Sequence, residues 1–360
     1  MSAPTVPGGD RAWILRGAGL LDEVPPLKLP DPATLLAIDD EMREFAQRVA
    51  GEKFTVEGKV NALANALTEP TGLGLQYDAA ATLSARDAFK ARRVNCLSYT
   101  MLYVALAREV GINANFNDVQ VPLIWGLQDE SFILYRHVNA RVTLGANYFT
   151  VVDLAPGEFD PRFSQRLMSD QLVRAQFFNN RAVELRVAGR AMESLQYQLR
   201  AIDLAPHRTE FWENLSQIYR SQGELRAAKA AVDVALSMSQ YSETVFSNAA
   251  GIYADLGETD LATKFDRRAE GLRRKNPYYH YRLALNALER GDDRTAYASV
   301  QRALSLNMNE DRFYFLKGMI LQRRGDTALA KQYMQTALEL NRNAERGTIY
   351  RDKIKILDHG

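Results

Sequence analysis

The rhythm of apolar and polar positions changes near the middle of the chain. From Ala175 to Arg342 apolar residues recur at helical spacing in paired blocks, and the blocks repeat every 34 residues. Glycines stand at Gly189, Gly223, Gly257, Gly291 and Gly325. Five residues beyond each comes Ser194, Ala228, Ala262, Ala296 or Ala330, and twelve beyond comes Ala201, Ala235, Ala269, Ala303 or Ala337. Three small-residue positions in phase over five periods predict five helical hairpins. The glycine permits the tight turn between helix A and helix B, and the two small residues lie on one face of helix B, where neighbouring helices approach closely. Acidic residues follow four of the glycines (Glu224, Glu258, Asp292, Asp326), near the start of helix B, where negative charge is favoured. After the last repeat, Ala344 to Leu357 predicts a capping helix, with Arg346, Arg351, Asp352, Lys353 and Lys355 as its wet face.

The first half has a different pattern. A Pro-rich stretch, Pro25 to Pro32, separates an irregular leader (1–32) from predicted helices at Ala33–Ala50 and Thr55–Ala66. Thr71 to Tyr77 reads as a turn into a short extended segment, and Ser84 to Lys90 as a helical turn. Leu97, Met101, Val104, Ala105 and Leu106 give the next helix an apolar face; Asn95 is its N-cap and Gly111 its stop. Strand-like runs follow at Asn113–Val121, Ser131–Thr143 and Tyr148–Leu154, the last two joined by the turn Leu144-Gly145-Ala146-Asn147. Arg162 to Arg174 predicts a linker helix continuous with the first repeat.

That pattern places the single cysteine, Cys96, in the first turn of a helix, where the partial positive charge, with Arg92 or Arg93 nearby, stabilises a thiolate. A hairpin centred near Gly145 puts His137 opposite or diagonal to Asp153 on one face of the sheet; a slip of one residue would separate them. A thiol at a helix start with a histidine and an aspartate on paired strands is the arrangement of a nucleophile, its base and the base's orienting carboxylate. Cysteine on an apolar helix also serves as a small buried hydrophobe, and strand histidines are often structural.

Bulk properties narrow the field. At 360 residues the chain is long enough for two or more domains, and 46% apolar with 25% charged residues is the composition of a globular protein. A formal charge of +1 with interspersed signs gives no broad basic field for nucleic acid. No apolar run approaches the ~18–20 residues of a membrane span. One cysteine and four scattered histidines point to neither disulfide nor metal site, and no cofactor is expected. Lack of disulfides fits the cytoplasm, and fits the cell envelope equally well if a signal segment was trimmed.

Two resemblances sharpen the reading. Trp212-x-x-Leu215-Ser216-x-x-Tyr219 matches the tetratricopeptide signature in all but its small glycine position, and the 34-residue period extends the likeness over 175–343. In that family helix A lines the concave face, which implies a protein or peptide partner there. The sixth position of each repeat is Asn180, Asn214, Asn248, Arg282 and Leu316; the three asparagines resemble the asparagine ladder of the O-GlcNAc transferase solenoid, which holds an extended peptide by its backbone. They serve equally as polar groups bonding within the array.

Asn95-Cys96-Leu-Ser-Tyr, Leu106-Ala-Arg108-Glu-Val-Gly-Ile112, Arg136-His137-Val-Asn139 and Val152-Asp153 resemble, in order and spacing, the transglutaminase-like superfamily. The resemblance implies a papain-type α+β domain over 33–161 followed by an all-α repeat solenoid, with Cys96 as nucleophile, His137 as base and Asp153 as its orienting group. It implies thiol-dependent amide hydrolysis or acyl transfer on a protein or peptide held by the repeats, and through related two-domain proteins a bacterial envelope. Gln76, Tyr77 and Trp125 are candidates for the second oxyanion donor beside the Cys96 N–H. The superfamily contains inactive members, so a non-catalytic adaptor binding partners through both domains is the alternative.

Overall fold

The computed structural model describes residues 8–120, 137–145, 148–154, 163–239, 241–341 and 343–359. The chain divides into two compact units, one of Met1–Val119, His137–Leu154 and Gln165–Ala269, the other built chiefly on Glu270–Gly360.

The first unit begins with α1 (Gly8–Leu15), so the leader is not irregular throughout. Ile14 is fully buried, and its carbonyl accepts a 2.5 Å hydrogen bond from the Tyr219 hydroxyl in the repeats. Asp10 pairs with Arg226 at 3.2 Å, and Arg11 lies over the Trp212 ring. Apolar and polar anchors together hold the leader helix, a long-range effect that a local reading could not supply. The stretch predicted as one helix from Ala33 is a 3₁₀ turn at Pro32–Thr34, then α2 (Asp40–Ala46), capped by Asp39 and continued as a π turn to Gly51. Next comes α3 (Val56–Thr68), capped by the Thr55 hydroxyl.

Strand β1 (Gln76–Tyr77) pairs in parallel with β2 (Arg93–Val94), and between them lies α4 (Ala85–Ala91), capped by Ser84. Then comes α5 (Cys96–Glu109), in which every residue from Leu97 to Ala107 is buried. It is a central helix enclosed on all sides rather than the amphipathic one its spacing predicts. A second sheet contains β3 (Ala114–Gln120), β4 (His137–Gly145), β5 (Tyr148–Val152) and β6 (Ser164–Met168), in the order β5-β4-β3-β6. Residues 131–136 of the predicted middle strand and Ala146–Asn147 of its turn lie outside the described residues.

Strand β6 corrects the predicted linker helix over 162–174. Three of its five residues are exposed and Met168 is buried, and β3 supplies a hydrogen-bonding edge that outweighs their helical propensity. Helix begins only at α6 (Asp170–Val187), where Ser169 caps it. Arg108 near the end of α5 grips Asp170 in the first turn of α6 through two bonds of 2.7 and 3.0 Å.

The repeats are α6 with α7 (Ala191–Leu204), α8 (Thr209–Ser221) with α9 (Leu225–Met238), α10 (Glu243–Asp255) with α11 (Thr259–Arg273), α12 (Pro277–Glu289) with α13 (Asp293–Leu306), and α14 (Asp311–Arg323) with α15 (Thr327–Leu340). Each hairpin turns on its glycine with φ between 75° and 91°. At Gly223 its N–H bonds the Arg220 carbonyl and the next N–H, of Glu224, bonds that of Tyr219; the same pair of bonds recurs at the other four turns. This is the Schellman closure, which needs the left-handed region at the glycine. All the predicted small positions of helix B are fully buried except Ala262, which is half-buried. Ser194 fits among alanines because its hydroxyl donates to the Ala182 carbonyl at 2.7 Å. In the second unit Tyr278, Val300, Phe313, Leu316 and Ile320 form the core with the small residues Ala284, Ala287, Ala296 and Ala303. The terminal helix α16 (Ala344–His359) follows as predicted.

Candidate functional site

The site begins with how Cys96 is placed. Helix α4 ends at Arg92, which takes the left-handed conformation (φ 54°) that only a fixed local geometry sustains in a side chain with a Cβ. The chain then runs through β2 into Asn95, whose Oδ1 accepts the Ser98 N–H at 2.9 Å and whose Nδ2 donates to Thr82 Oγ1 at 2.7 Å. Cys96 is the first residue of the helix and is only half-buried. Its N–H belongs to the open end of the helix. Thr100 Oγ1 lies 2.7 Å from the Cys96 carbonyl and 3.0 Å from that of Val138, tying the first turn to β4. Arg93 is turned toward Asp78, 3.4 Å away.

His137 opens β4 and Asp153 follows directly on β5. Ala140 pairs with Val152, so one further step along the ladder sets Asn139 opposite Asp153 and leaves His137 diagonal to it on the same face, the predicted register. His137 Nε2 lies 2.5 Å from Asp153 Oδ2, with both side chains about 5% exposed. Cys96 is the second group that acts on the His137 ring, favouring its protonated form together with Asp153. Burial opposes a charged imidazole, but the Asp153 hydrogen bond and the combined influence of Asp153 and Cys96 outweigh it, and the His137 pKa is pushed up to about 10. Burial, followed by the Asp153 charge, holds the Tyr99 hydroxyl protonated. The three residues singled out from the sequence thus meet: a thiol at a helix start, an imidazole kept protonated beside it, and a buried carboxylate behind the imidazole.

Sequence reasoning missed the groups around Asp153. Asn139 Nδ2 donates to Asp153 Oδ2 at 2.9 Å, and Asn139 Oδ1 accepts from Asn117 Nδ2 at 2.8 Å. The available signal was the i,i+2 spacing of His137 and Asn139, which puts both on one face of a strand. Of the candidate oxyanion donors, Gln76 and Tyr77 occupy the short strand beside β2 with exposed side chains, and Trp125 lies outside the described residues. Among the described residues no group of three or more His, Cys, Asp or Glu is placed to hold a metal ion. No described helix is long and apolar enough to cross a membrane.

Asn180, Asn214 and Asn248 stand on α6, α8 and α10, the first helices of three consecutive repeats, and all are half-buried. Asn180 Oδ1 accepts from Gln176 Nε2 at 2.8 Å. Asn214 Nδ2 donates at 2.8 Å to Asn179 Oδ1, which also accepts from Gln198 Nε2 at 3.2 Å. These bonds orient two of the three amides. Asn179 and Gln198 were not foreseen, because their pairing runs between helices.

A family model described as tetratricopeptide repeat matches residues 209–241 and 311–343. Among curated proteins, none matches the chain. Similar solved structures include MamA (18% identity, 44% of this chain and 93% of that one, TM-score 0.25). A thermophilic TPR protein of Thermus thermophilus (18%, 51% and 98%, TM-score 0.27) is another. A third is YrrB, described as a TPR protein with an unusual peptide-binding site (13%, 49% and 92%, TM-score 0.27). With the family match and five glycine-closed helical hairpins, the C-terminal region of this chain carries tetratricopeptide repeats.

Proposed function

We propose that the chain is a thiol-dependent amide hydrolase of the transglutaminase-like, papain-type kind, acting on a protein or peptide held by its repeats. The observation that carries the reading is the buried His137, bonded to the buried Asp153 and held protonated by Asp153 together with the half-buried Cys96. The Cys96 Sγ attacks the amide carbonyl carbon, and the Cys96 N–H at the helix start faces the developing oxyanion. His137 passes its proton to the leaving amine as the C–N bond breaks, which leaves a thioester on Cys96. Water then attacks the thioester, His137 takes its proton, and a carboxylic acid and the thiolate–imidazolium pair are released. An amine in place of water would give transamidation from the same acyl-enzyme. The fold supporting this reading is α5 with its cysteine followed by the strands bearing the other two groups. Strand β6 lies in the same sheet, and on this reading it belongs with the domain proposed for 33–161.

Tetratricopeptide repeats stack to present continuous surfaces for protein or peptide partners. The finer assignment is that Asn180, Asn214 and Asn248 meet the partner's backbone. One Asn214 N–H is taken by Asn179, which leaves its second N–H and its carbonyl for a peptide backbone.

Incubation with a p-nitrophenyl ester followed by intact mass measurement tests the chemistry. One acyl group on Cys96, absent from Cys96→Ala and formed up to about 10⁴-fold more slowly by a folded Asp153→Asn, is the expected result. Equal acylation of the wild type and a folded His137→Ala would sink the reading.

A further inference from the structure

A line of amides, two of them fully buried, crosses the second sheet and ends at Asp153. Gln165 on β6, Asn117 on β3 and Asn139 on β4 come from three adjacent strands, and Asp153 follows the fourth. Asn117 and Asn139 pair directly across the ladder and have no exposed surface. The bonds run from Asn117 Nδ2 to Gln165 Oε1 (3.1 Å) and to Asn139 Oδ1 (2.8 Å), then from Asn139 Nδ2 to Asp153 Oδ2 (2.9 Å).

The polarity of this line is set at its Asp153 end. An ionised carboxylate only accepts, so Asn139 must turn its NH₂ toward Asp153 and its carbonyl toward β3. That carbonyl in turn needs a donor, so Asn117 must present its NH₂. Asn117 spends its amide protons on the two bonds, and its own Oδ1 is left buried with no hydrogen bond. A buried orphan acceptor is unfavourable, and apolar residues of the same shape at both positions would avoid it. The arrangement keeps that defect while the three bonds of the line all run outward from Asn117, toward Asp153 on one side and Gln165 on the other. At Asp153 the consequence is specific: Oδ2 accepts from Asn139 and meets His137 Nε2, so the same oxygen is pinned from two sides.

We propose that Asn139, oriented by Asn117, is a positioning residue that fixes the Asp153 carboxylate against His137. The inference rests on the reading of Asp153 as the group that orients His137. Without the Asn139 bond the Oδ2 atom loses one of the two groups that pin it, and its contact with His137 Nε2 loosens. Asn117 acts one step further away: without its donor, Asn139 is free to flip and present a carbonyl to the carboxylate. The titrating groups around His137 are Asp153 and Cys96, with Tyr99 next to Asp153.

The test is the titration of the His137 imidazole by NMR in the full chain, which has only four histidines to resolve. It is run on wild type, Asn139→Val and Asn117→Val, valine being suited to a strand. The His137 pKa is expected to fall by about one unit or more in Asn139→Val. A smaller fall is expected in Asn117→Val, although Asn117 touches neither His137 nor Asp153. Should the valine variants not fold, Asn139→Thr replaces them: it is strand-compatible, and its hydroxyl is too short to reach Asp153. A folded Asn139 variant whose His137 titrates as in wild type overturns the inference. The readout does not depend on turnover. A shifted titration in a protein that never acylates Cys96 supports the positioning and removes the catalytic reading. Normal acylation with an unshifted titration removes the positioning and leaves the catalytic reading.

Discussion

His137 meets Asp153 through Nε2 at 2.5 Å, and Cys96 joins Asp153 in favouring the protonated ring. The ring is thereby held against a buried carboxylate, with the half-buried Cys96 as the other titrating group that acts on it. The proposed arrangement is that of a thiol nucleophile, its base and the base's orienting carboxylate. It depends on two local devices: the Asn95 cap that starts α5 at Cys96, and the β4–β5 register that sets Asp153 diagonal to His137.

The raised His137 pKa has a consequence for stability. A histidine whose folded pKa lies above its unfolded value stabilises the fold fully below the unfolded pKa and loses that contribution as pH rises through the folded one. For His137 the window runs from about 6.5 to about 10. Urea unfolding of wild type and His137→Gln at pH 6.5, 8 and 10 should therefore show wild type favoured by on the order of a few kcal/mol at pH 6.5. The gap should close toward pH 10. A gap that widened with pH would mean that His137 is neutral in the fold.

Two glycines of the repeats should respond to alanine for different reasons. Gly223 has φ 76° and open space where a Cβ would go, so Gly223→Ala costs only the backbone term, about 1 kcal/mol, and Gly223→Asn costs less. Gly318 has ordinary backbone, but a Cβ there would sit 2.7 Å from Met334 Cγ and 2.9 Å from the Ala330 carbonyl oxygen. Gly318→Ala must push α14 off α15, at about 1–3 kcal/mol, and Asn is no remedy. Urea melts of the four variants check both claims; a neutral Gly318→Ala would show that the helices yield.

For the ladder, replacing Asn180, Asn214 and Asn248 together by alanine should weaken a bound peptide by very roughly ten- to a thousandfold, since each hydrogen bond contributes ~0.5–1.5 kcal/mol. The loss should be similar for peptides of different sequence because backbone groups are the targets. Calorimetric titration of a partner obtained by pull-down measures it. Unchanged affinity in a triple variant of normal helicity would move the binding surface elsewhere.

The repeats were legible because their physics is local and periodic. A left-handed glycine every 34 residues and buried alanines on helix B are written at fixed positions, and the structure places them there with Ala262 the least buried. The Cys96, His137 and Asp153 meeting was legible only through an assumed hairpin register, which the Ala140–Val152 pairing bears out. What was hidden depends on contacts distant in sequence. Ser164–Met168 carries no strand signature and becomes β6 because the edge of β3 needs a partner. The leader helix is held by Tyr219 and Arg226, some two hundred residues on. Asn117 and Asn139 look like ordinary polar residues until the β3–β4 register sets them face to face.

The central claim, that Cys96 and His137 form a working nucleophile–base pair, is tested most directly by the rate of Cys96 alkylation with iodoacetamide at pH 7. Thiolate is the reacting species, and the single cysteine makes the signal unambiguous. Wild type should label about tenfold or more faster than a folded His137→Ala, with Asp153→Asn between them. Equal rates in wild type and His137→Ala would contradict the account.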